Sequence, residues 1–333
     1  MASPTTRPTL HDVADLVGVS ARTVSRVVNG EAPVSPDTRA RIEAAIDQLG
    51  YRPNMLARGL INQRSGMIAL LVTSMANPFF PEFSDGVQAA ASDAGMTLVL
   101  TNSRDDAAMQ RRILRELESH AVEGIIAFTA TDGDDSLTEA ARRGVPMIVV
   151  NDRLDDPTVK SVRADLARGA ELAVGHLLAR GCVRPAMIAG ALRVDHPHWR
   201  RDGFVAAAAA AGHPGAPVIV EDATVEGGAA AARTLLDTHP DIDGVFAYND
   251  LMALGAIRAF AASGRSVPDD IAVVGFDDIA MGSLVDPALT TIRMDRHRLG
   301  RLAVETLRAV IDADGPVPDP EPLDVELVVR ESA

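Results

Sequence analysis

The chain contains a single cysteine, Cys182. One thiol excludes an internal disulfide framework and a multi-cysteine zinc site, and it fits a reducing compartment such as the cytoplasm. The opening stretch MASPTTRPTLHDVAD has no apolar h-region, and no run approaches the roughly 18 apolar residues that a membrane helix needs. Neither secretion nor membrane spanning is expected. Positive charge is also scarce: 46 acids against 32 Lys and Arg leave a formal charge of −14, so the molecule as a whole is no polyanion binder and any contact with nucleic acid must be local. No GxGxxG follows the first β-rich run, and there is no Walker-type loop and no HExxH. Near Cys182 only His176 offers a base, so the thiol reads as packed or idle rather than nucleophilic. These absences argue against a nucleotide-dependent dehydrogenase or any other enzyme, and no cofactor or metal is expected.

What is present is ample material for folded cores. Of 333 residues, 47% are apolar, and at roughly 100–200 residues per domain this predicts two or three units. The charge is unevenly spread. Residues 1–64 carry eight Arg and six acids, a net of +2, against −16 for the remainder. A slightly basic piece before a strongly acidic body is what a small phosphate-contacting module attached to a different kind of domain would show.

The stretch TLHDVADLVGVSARTVSRVVNG, Thr9 to Gly30, places Leu10, Val13, Ala14 and Val17 at helical spacing before Gly18, and Val24, Val27 and Val28 at helical spacing after it. Ser20 can accept the amide of Thr23 as an N-cap, which starts the second helix at Ala21 and leaves Ala21, Arg22, Ser25 and Arg26 off the apolar face. That is a helix-turn-helix pattern. A third helix is signalled by Ser35 as cap, Pro36 in the first turn, the stripe Ile42, Ala45, Ile46 and Leu49, and Gly50 as terminator. Arg22 and Arg26 are four apart on one face, and a guanidinium fork matches the two acceptors on guanine's major-groove edge. Ala21 is short enough to meet a thymine methyl, whereas Arg39, Arg41 and the helix N-termini suit phosphates.

After Tyr51-Arg52-Pro53-Asn54 comes MLARGLINQRS, too short to be a stable helix alone. Ordered on a partner, it would put Ala57 and Leu60 on one face, with Leu60 as an apolar wedge for a minor groove; otherwise it is a linker with an exposed leucine. Gly59 weakens it, since a mid-helix glycine costs about 1 kcal/mol relative to alanine.

From Met67 the pattern becomes short β-rich runs, MIALLVT, TLVLTN, EGIIAFT, PMIVVN, RPAMIAGA, PVIVE, DGVFAYND and IAVVGFDD, alternating with helical stretches at 82–94, 110–120, 168–180, 201–211, 227–237 and 251–264. Strand alternating with helix means parallel sheets, and two such sets mean two α/β lobes. Ligands of open parallel sheets sit beyond the carboxyl ends of strands. There the chain places Asn77-Pro78-Phe79-Phe80, Asn151-Asp152-Arg153, Asn249-Asp250 and Phe276-Asp277-Asp278, with Trp199-Arg200 in a loop region after RPAMIAGA. Carboxylates and amides can fork onto vicinal hydroxyls, an arginine can fix one end and rings can cover a face, which suits a small polyhydroxylated or heterocyclic ligand.

On these residues the chain resembles the lactose-repressor (LacI/GalR) family of bacterial transcription regulators. The head and hinge carry the likeness in TLHDVADLVGVSARTVSRVVNG, VSPDTRARIEAAIDQLGYRPN and ARGL; the body carries it in NPFF, VRADLARG, FAYNDLMALGAIRA, VVGFDDI and DPALTTI. The resemblance implies a small all-α helix-turn-helix head plus an α/β body of two parallel-sheet lobes similar to periplasmic sugar-binding proteins. It divides the chain into a head at 1–52, a hinge at 53–65 and an effector-binding and dimerisation domain at 66–333. Within that domain it implies an N lobe of about 66–164 and 293–321 and a C lobe of about 166–291 and 323–331, with crossings near Asp165, Thr291 and Pro322. The base readers it implies are Ala21, Arg22 and Arg26, with Leu60 as the wedge and further DNA contacts from Thr9, Ser20, Thr23, Ser25, Asn29, Asn54 and Ala57. Many members have Ser where this chain has Gly59.

For the effector, the resemblance implies Phe80, Arg200, Asn249 and Asp277. Counting from Pro146 selects Asn151 as the residue from the fourth strand, and matching the acid before Arg153 selects Asp152. His196 and His198 are candidate polar contacts or solvated bystanders. Ala223 stands where many members have an aromatic lid, leaving either Trp199 as its replacement or a ligand that is not a plain sugar. The expected function is a ligand-responsive repressor, a homodimer on a roughly palindromic DNA operator, with no membrane partner. A free-standing solute-binding protein without a DNA role, and the same regulator answering to a nucleoside or other non-sugar ligand, are the alternatives. No leucine heptads follow Pro322, which disfavours a coiled-coil tetramer.

Overall fold

A computed structural model of the chain describes residues 8–28, 34–51, 65–120, 122–129, 135–191, 198–313 and 315–333. The chain divides into two units, Met1–Gly66 and Met67–Ala333.

In the first unit, α1 (Leu10–Val17), α2 (Ala21–Val28) and α3 (Pro36–Leu49) are each set by local chemistry. Thr9 and Asp12 form a reciprocal capping box: the Thr9 amide donates to Asp12 Oδ2 at 2.7 Å and the Asp12 amide to Thr9 Oγ1 at 3.3 Å. The Thr9 backbone and side chain together hold the Asp12 carboxyl below its ordinary range. Gly18, at φ +73, ends α1 in the left-handed region. Ser20 accepts the Thr23 amide at 3.2 Å, and Ser35 accepts that of Thr38 at 3.3 Å. The apolar faces meet in a core of Val13, Ala14, Val17, Val24, Val27, Ile42, Ala45 and Tyr51.

The second unit holds two sheets. The first has order β2-β1-β3-β4-β5, from β1 (Met67–Val72), β2 (Thr97–Asn102), β3 (Gly124–Ala127), β4 (Met147–Val150) and β5 (Lys160–Val162), all parallel. Helices α4 (Phe79–Asp93), α5 (Ala107–Ser119) and α6 (Ser136–Arg142) follow β1, β2 and β3. The second sheet has order β11-β10-β9-β8-β6-β7, from β6 (Pro185–Gly190), β7 (Val218–Glu221), β8 (Gly244–Ala247), β9 (Ala272–Asp277), β10 (Thr290–Met294) and β11 (Val325–Val328). Its pairs are parallel except β10 with β11, which is antiparallel. Helices α7 (Leu166–Ala179), α8 (Trp199–Ala210), α9 (Val225–Thr238) and α10 (Asp250–Ala262) belong with this sheet, and α11 (Arg296–Asp312) packs on α4 and on β3, β4 and β5 of the first.

The second crossing differs from the expectation near Thr291. Thr291 pairs with Gly275 in the middle of β10, which stays in the second sheet through Met294. The chain turns at Asp295, whose side chain caps α11 by accepting the Arg298 amide at 2.8 Å. Asp165 does the same for α7, accepting from Arg168 at 3.1 Å. The returning third segment lies beside the first: Leu323 bonds Arg163 and Asp165 through its amide and carbonyl. The helices α4 and α11 approach so closely that a Cβ at Gly86 would stand 2.4 Å from the His297 carbonyl oxygen, and one at Gly300 2.6 Å from that of Phe83.

Candidate functional site

In the head, Val24 and Val27 face the core, while Arg22 is exposed and Arg26 half-buried on the same helix. The expectation that Ala21 stands clear of the apolar face needs correction, because it is partly buried against the head core. Arg41 is not a free phosphate ligand either: its Nη2 donates to the Val17 carbonyl at 2.7 Å and ties α3 to the end of α1. Thr9, Ser20 and Thr23 lie at the N-terminal ends of α1 and α2, where amides and helix dipole favour anions. Ser25 is half-buried on α2. Asn29, Asn54, Ala57 and Leu60, with Gly59 and nearly all of the hinge, lie outside the described residues.

In the body, the carboxyl ends of β6, β8 and β9 converge on Arg200. This residue is the second of α8 and is 8% exposed. Its guanidinium lies 4.2 Å above the Phe276 ring and 4.5 Å from that of Tyr248, so two aromatic faces replace its hydration. Nη2 is 3.5 Å from Asp277 Oδ1. That separation is ion pairing without a made hydrogen bond: among the described residues, Asp277 Oδ1 and Arg200 Nε are both buried without a hydrogen-bond partner. Burial pushes the Asp277 carboxyl up to about 6, against the opposing pull of Arg200 and Arg296. The backbone there is strained as well. Asp277 and Asp278 have φ +112 and +54, conformations that cost non-glycine residues of order 1–3 kcal/mol and concentrate at functional sites.

Around this pair each polar group has a visible anchor. Asp278 is gripped by Arg293 and Arg330, each at 2.6 Å, and these hydrogen bonds outweigh its own burial to keep its carboxyl below the ordinary range. Asp250 is fully buried, accepting from Thr291 Oγ1 at 2.5 Å and from the Ile279 amide at 2.7 Å. Burial, with repulsion from Asp277, still holds it well above its ordinary value. Asn249 caps α10, accepting the Met252 amide at 2.8 Å, and its Nδ2 donates to the Ala223 carbonyl at 3.3 Å.

On the first sheet, the structure separates the roles of Asn151 and Asp152. Asn151, at φ +53, turns its Oδ1 onto the Ala164 amide at 3.0 Å and so ties the exit of β4 to that of β5. Asp152 is buried, accepts the Thr129 hydroxyl from the exit of β3, and contributes with burial and Asp277 to raising the Tyr248 phenol. It therefore stands within electrostatic reach of the Arg200 cluster across the lobes. Phe80 is also buried, edge-on to Phe79 at 5.3 Å and to Phe128 at 5.0 Å. Trp199 packs against the core under the Arg163 guanidinium at 5.1 Å. His198 holds the N-cap position of α8 without a side-chain cap bond, and His196 lies outside the described residues.

Sequence reasoning missed Tyr248, Arg296 and Glu82. Tyr248 carried a signal, since it follows strand β8 directly, beside Asn249, and fits only because residue 190 is glycine: a Cβ there would be 2.8 Å from the ring. Arg296 carried none. Among the described residues a cavity of about 430 Å³ is lined by Glu82, Arg293, Arg296, Asp324 and Glu326 and their neighbours, and by none of the expected effector residues.

A three-helix head with an outward arginine face, joined in sequence to a two-lobed body whose strand ends gather around a buried ion pair, defines a DNA-binding module carried with a small-molecule-binding fold. Comparison with known proteins agrees for both parts. Residues 9–54 match the pattern of bacterial regulatory proteins of the lacI family, and residues 174–333 match the periplasmic binding protein-like domain. The chain is 35% identical over 332 residues to the ribose operon repressor of Halalkalibacterium halodurans, covering 97% of this chain and 96% of that one. It is 36% identical over 335 residues to the transcriptional regulator CelR of Thermobifida fusca, covering 98% of each. Among solved structures, the lac repressor dimer bound to operator and an anti-inducer aligns with TM-score 0.84 at 28% identity, covering 98% of this chain and 99% of that one. The chain belongs to the LacI family of bacterial regulatory proteins. Its relatives are transcription regulators, not enzymes. No described helix is long and apolar enough to cross a membrane.

Proposed function

We propose that this protein is a cytoplasmic, dimeric, ligand-responsive repressor whose effector is a sugar or sugar derivative. In this reading residues 1–52 are the DNA-binding head, with Arg22 and Arg26 reading guanines in a major groove. Residues 53–65 are the hinge, with Asn54, Ala57 and Leu60 at a minor groove. Ala21, Ser25 and Asn29 add contacts to bases, and Thr9, Ser20 and Thr23 add contacts to phosphates.

The effector lies between the lobes, held by Arg200 and Asp277 from one side and Asp152 from the other. The observation that carries this is the pair of unsatisfied buried atoms on facing side chains. Among the described residues Arg200 Nε has no acceptor and Asp277 Oδ1 no donor, and a buried polar atom left unpaired costs about 1–3 kcal/mol. A hydroxyl can both donate and accept, so vicinal hydroxyls satisfy the two together. Asn151, Asn249 and Phe80 shape this pocket from behind through the bonds and packing just described, and His196 is a further polar contact. An effector that binds the two lobe arrangements unequally shifts the spacing of the paired hinges and with it operator affinity. Sugars are the named theme among relatives: one is the repressor of a ribose operon, and a solved structure of a CelR regulator is a complex with cellobiose.

The test is a thermal-shift screen of pentoses, hexoses, disaccharides, sugar phosphates and nucleosides, followed by operator binding with and without the stabilising compound. A sugar that raises the melting temperature of the protein but not of Asp277→Asn supports the reading. A response confined to nucleosides, as Ala223 in place of an aromatic lid would permit, replaces the effector class. A normal response in Asp277→Asn moves the site elsewhere.

A further inference from the structure

Arg296 is the first residue of α11, immediately past the crossover at Asp295. Its guanidinium has partners on both lobes. On the N lobe, Nε lies 2.8 Å from Glu82 Oε2 of α4, and Nη2 meets the same oxygen. Toward the C lobe, Nη1 donates to the Asp277 carbonyl and Nη2 to the Asp278 carbonyl at 3.1 Å. The Arg296 side chain is 11% exposed and that of Glu82 35%. These bonds are therefore better shielded than those of an ordinary surface pair.

The two carbonyls belong to the consecutive residues at φ +112 and +54. Neither residue is a glycine, so the turn persists only where surrounding contacts over-determine it. The Asp278 side chain is held by Arg293 and Arg330 within the C lobe. The turn's carbonyls, in contrast, are held from the other lobe. A planar guanidinium can serve one carboxylate and two carbonyls at once because its donors point in fixed, diverging directions; an ammonium on a flexible stem does not reproduce that fork.

We propose that Arg296 is a positioning residue for the effector site: anchored by Glu82 on the N lobe, it clamps the backbone of Asp277 and Asp278 and thereby ties the aim of the Asp277 carboxylate to the approach of the two lobes. The significance for ligand binding rests on the reading of Asp277 given above, but the clamp is testable without any ligand. Lobe separation draws Arg296 off the two carbonyls, and the strained turn relaxes away from Arg200. Lobe approach restores the clamp and the facing ion pair.

Hydrogen exchange followed by mass spectrometry on the full, ligand-free chain tests it. Glu82→Gln removes the anchor without altering any C-lobe residue, and the expected result is exchange about tenfold faster across 277–279, with β6 and β8 unchanged as internal controls. Arg296→Lys keeps the charge but not the fork, and the same segment is expected to lose at least as much protection. Combining Glu82→Arg with Arg296→Glu restores a simple ion pair but sets a carboxylate against two carbonyls, so protection stays lost. Wild-type exchange at 277–279 in both single variants, or its recovery in the charge swap, overturns the clamp. Failure of Asp277→Asn to change the sugar response would refute the effector reading while leaving this result intact.

Discussion

The buried Asp277 carboxyl makes the stability of the body depend on pH in a direction that can be worked out in advance. Its ordinary value of 3.8 rises to about 6 in the fold, first because burial removes water and despite the attraction of Arg200 and Arg296. Between those two values the folded chain holds a proton that the unfolded chain has released, so stability falls as pH rises through the window. The full difference is worth about 3 kcal/mol, at about 1.4 kcal/mol per pH unit, and the loss is complete above about pH 6. Burial also raises the neighbouring Asp250 carboxyl, so the informative quantity is the wild type minus Asp277→Asn. Urea unfolding of both proteins at intervals from pH 4 to pH 7 should show the wild type losing about 2.4 kcal/mol relative to the variant, the remainder having been lost below pH 4. A hydroxylic effector that donates to Asp277 stabilises its charged form, so effector affinity should rise with pH across the same interval and level off above it. Parallel stability curves for the two proteins would refute the claim that this carboxyl is buried and electrostatically frustrated.

Replacing Arg22 with Ala should relax sequence preference at one operator position and weaken binding there by about 1–3 kcal/mol, read by binding-site selection; undiminished discrimination would remove Arg22 from base reading. Gly86→Ala forces α4 and α11 apart, because the added carbon would stand 2.4 Å from the His297 carbonyl oxygen. A loss of about 1–3 kcal/mol in thermal unfolding is expected from such overpacking, and an unchanged melting temperature would show the contact to be soft. Burial, followed by repulsion from Asp243, pushes the Cys182 thiol up to about 11. The native protein should therefore react slowly with a thiol reagent at pH 8 and rapidly in denaturant; equal rates would mean that the thiol is accessible.

Much of the head could be read directly because its signals act over three or four residues. Thr9 with Asp12, Ser20 with Thr23, Ser35 with Thr38, and the terminating Gly18 and Gly50 are all contacts within one helical turn. The alternation of β-rich and helical runs likewise located both lobes. The sequence pattern starts helices in the body a few residues late, as at α4, which begins at Phe79 rather than 82, because Asn77 accepts the first amide of α4 and the caps Asp165 and Asn249 precede the apolar stripes of their helices. The strands β5, β10 and β11 leave little sequence signal: each is short or carries a charged or hydroxyl residue, and β11 is held by a partner strand well back in the chain.

Sequence alone determined the helix-turn-helix, the outward spacing of Arg22 and Arg26, the two α/β lobes, and the polar residues that close their strands, because periodicity and capping need only neighbours. Tertiary structure decided that Asn151 ties down backbone while Asp152 approaches the Tyr248 and Arg200 cluster, that Arg41 braces the head, and that Arg200 rests between two rings with its charge beside Asp277. It also brought Glu82 to Arg296, a pair 214 residues apart in the chain. Contacts of that range leave no periodic trace, since only the packing of one sheet and its helices against another fixes which side chains can meet.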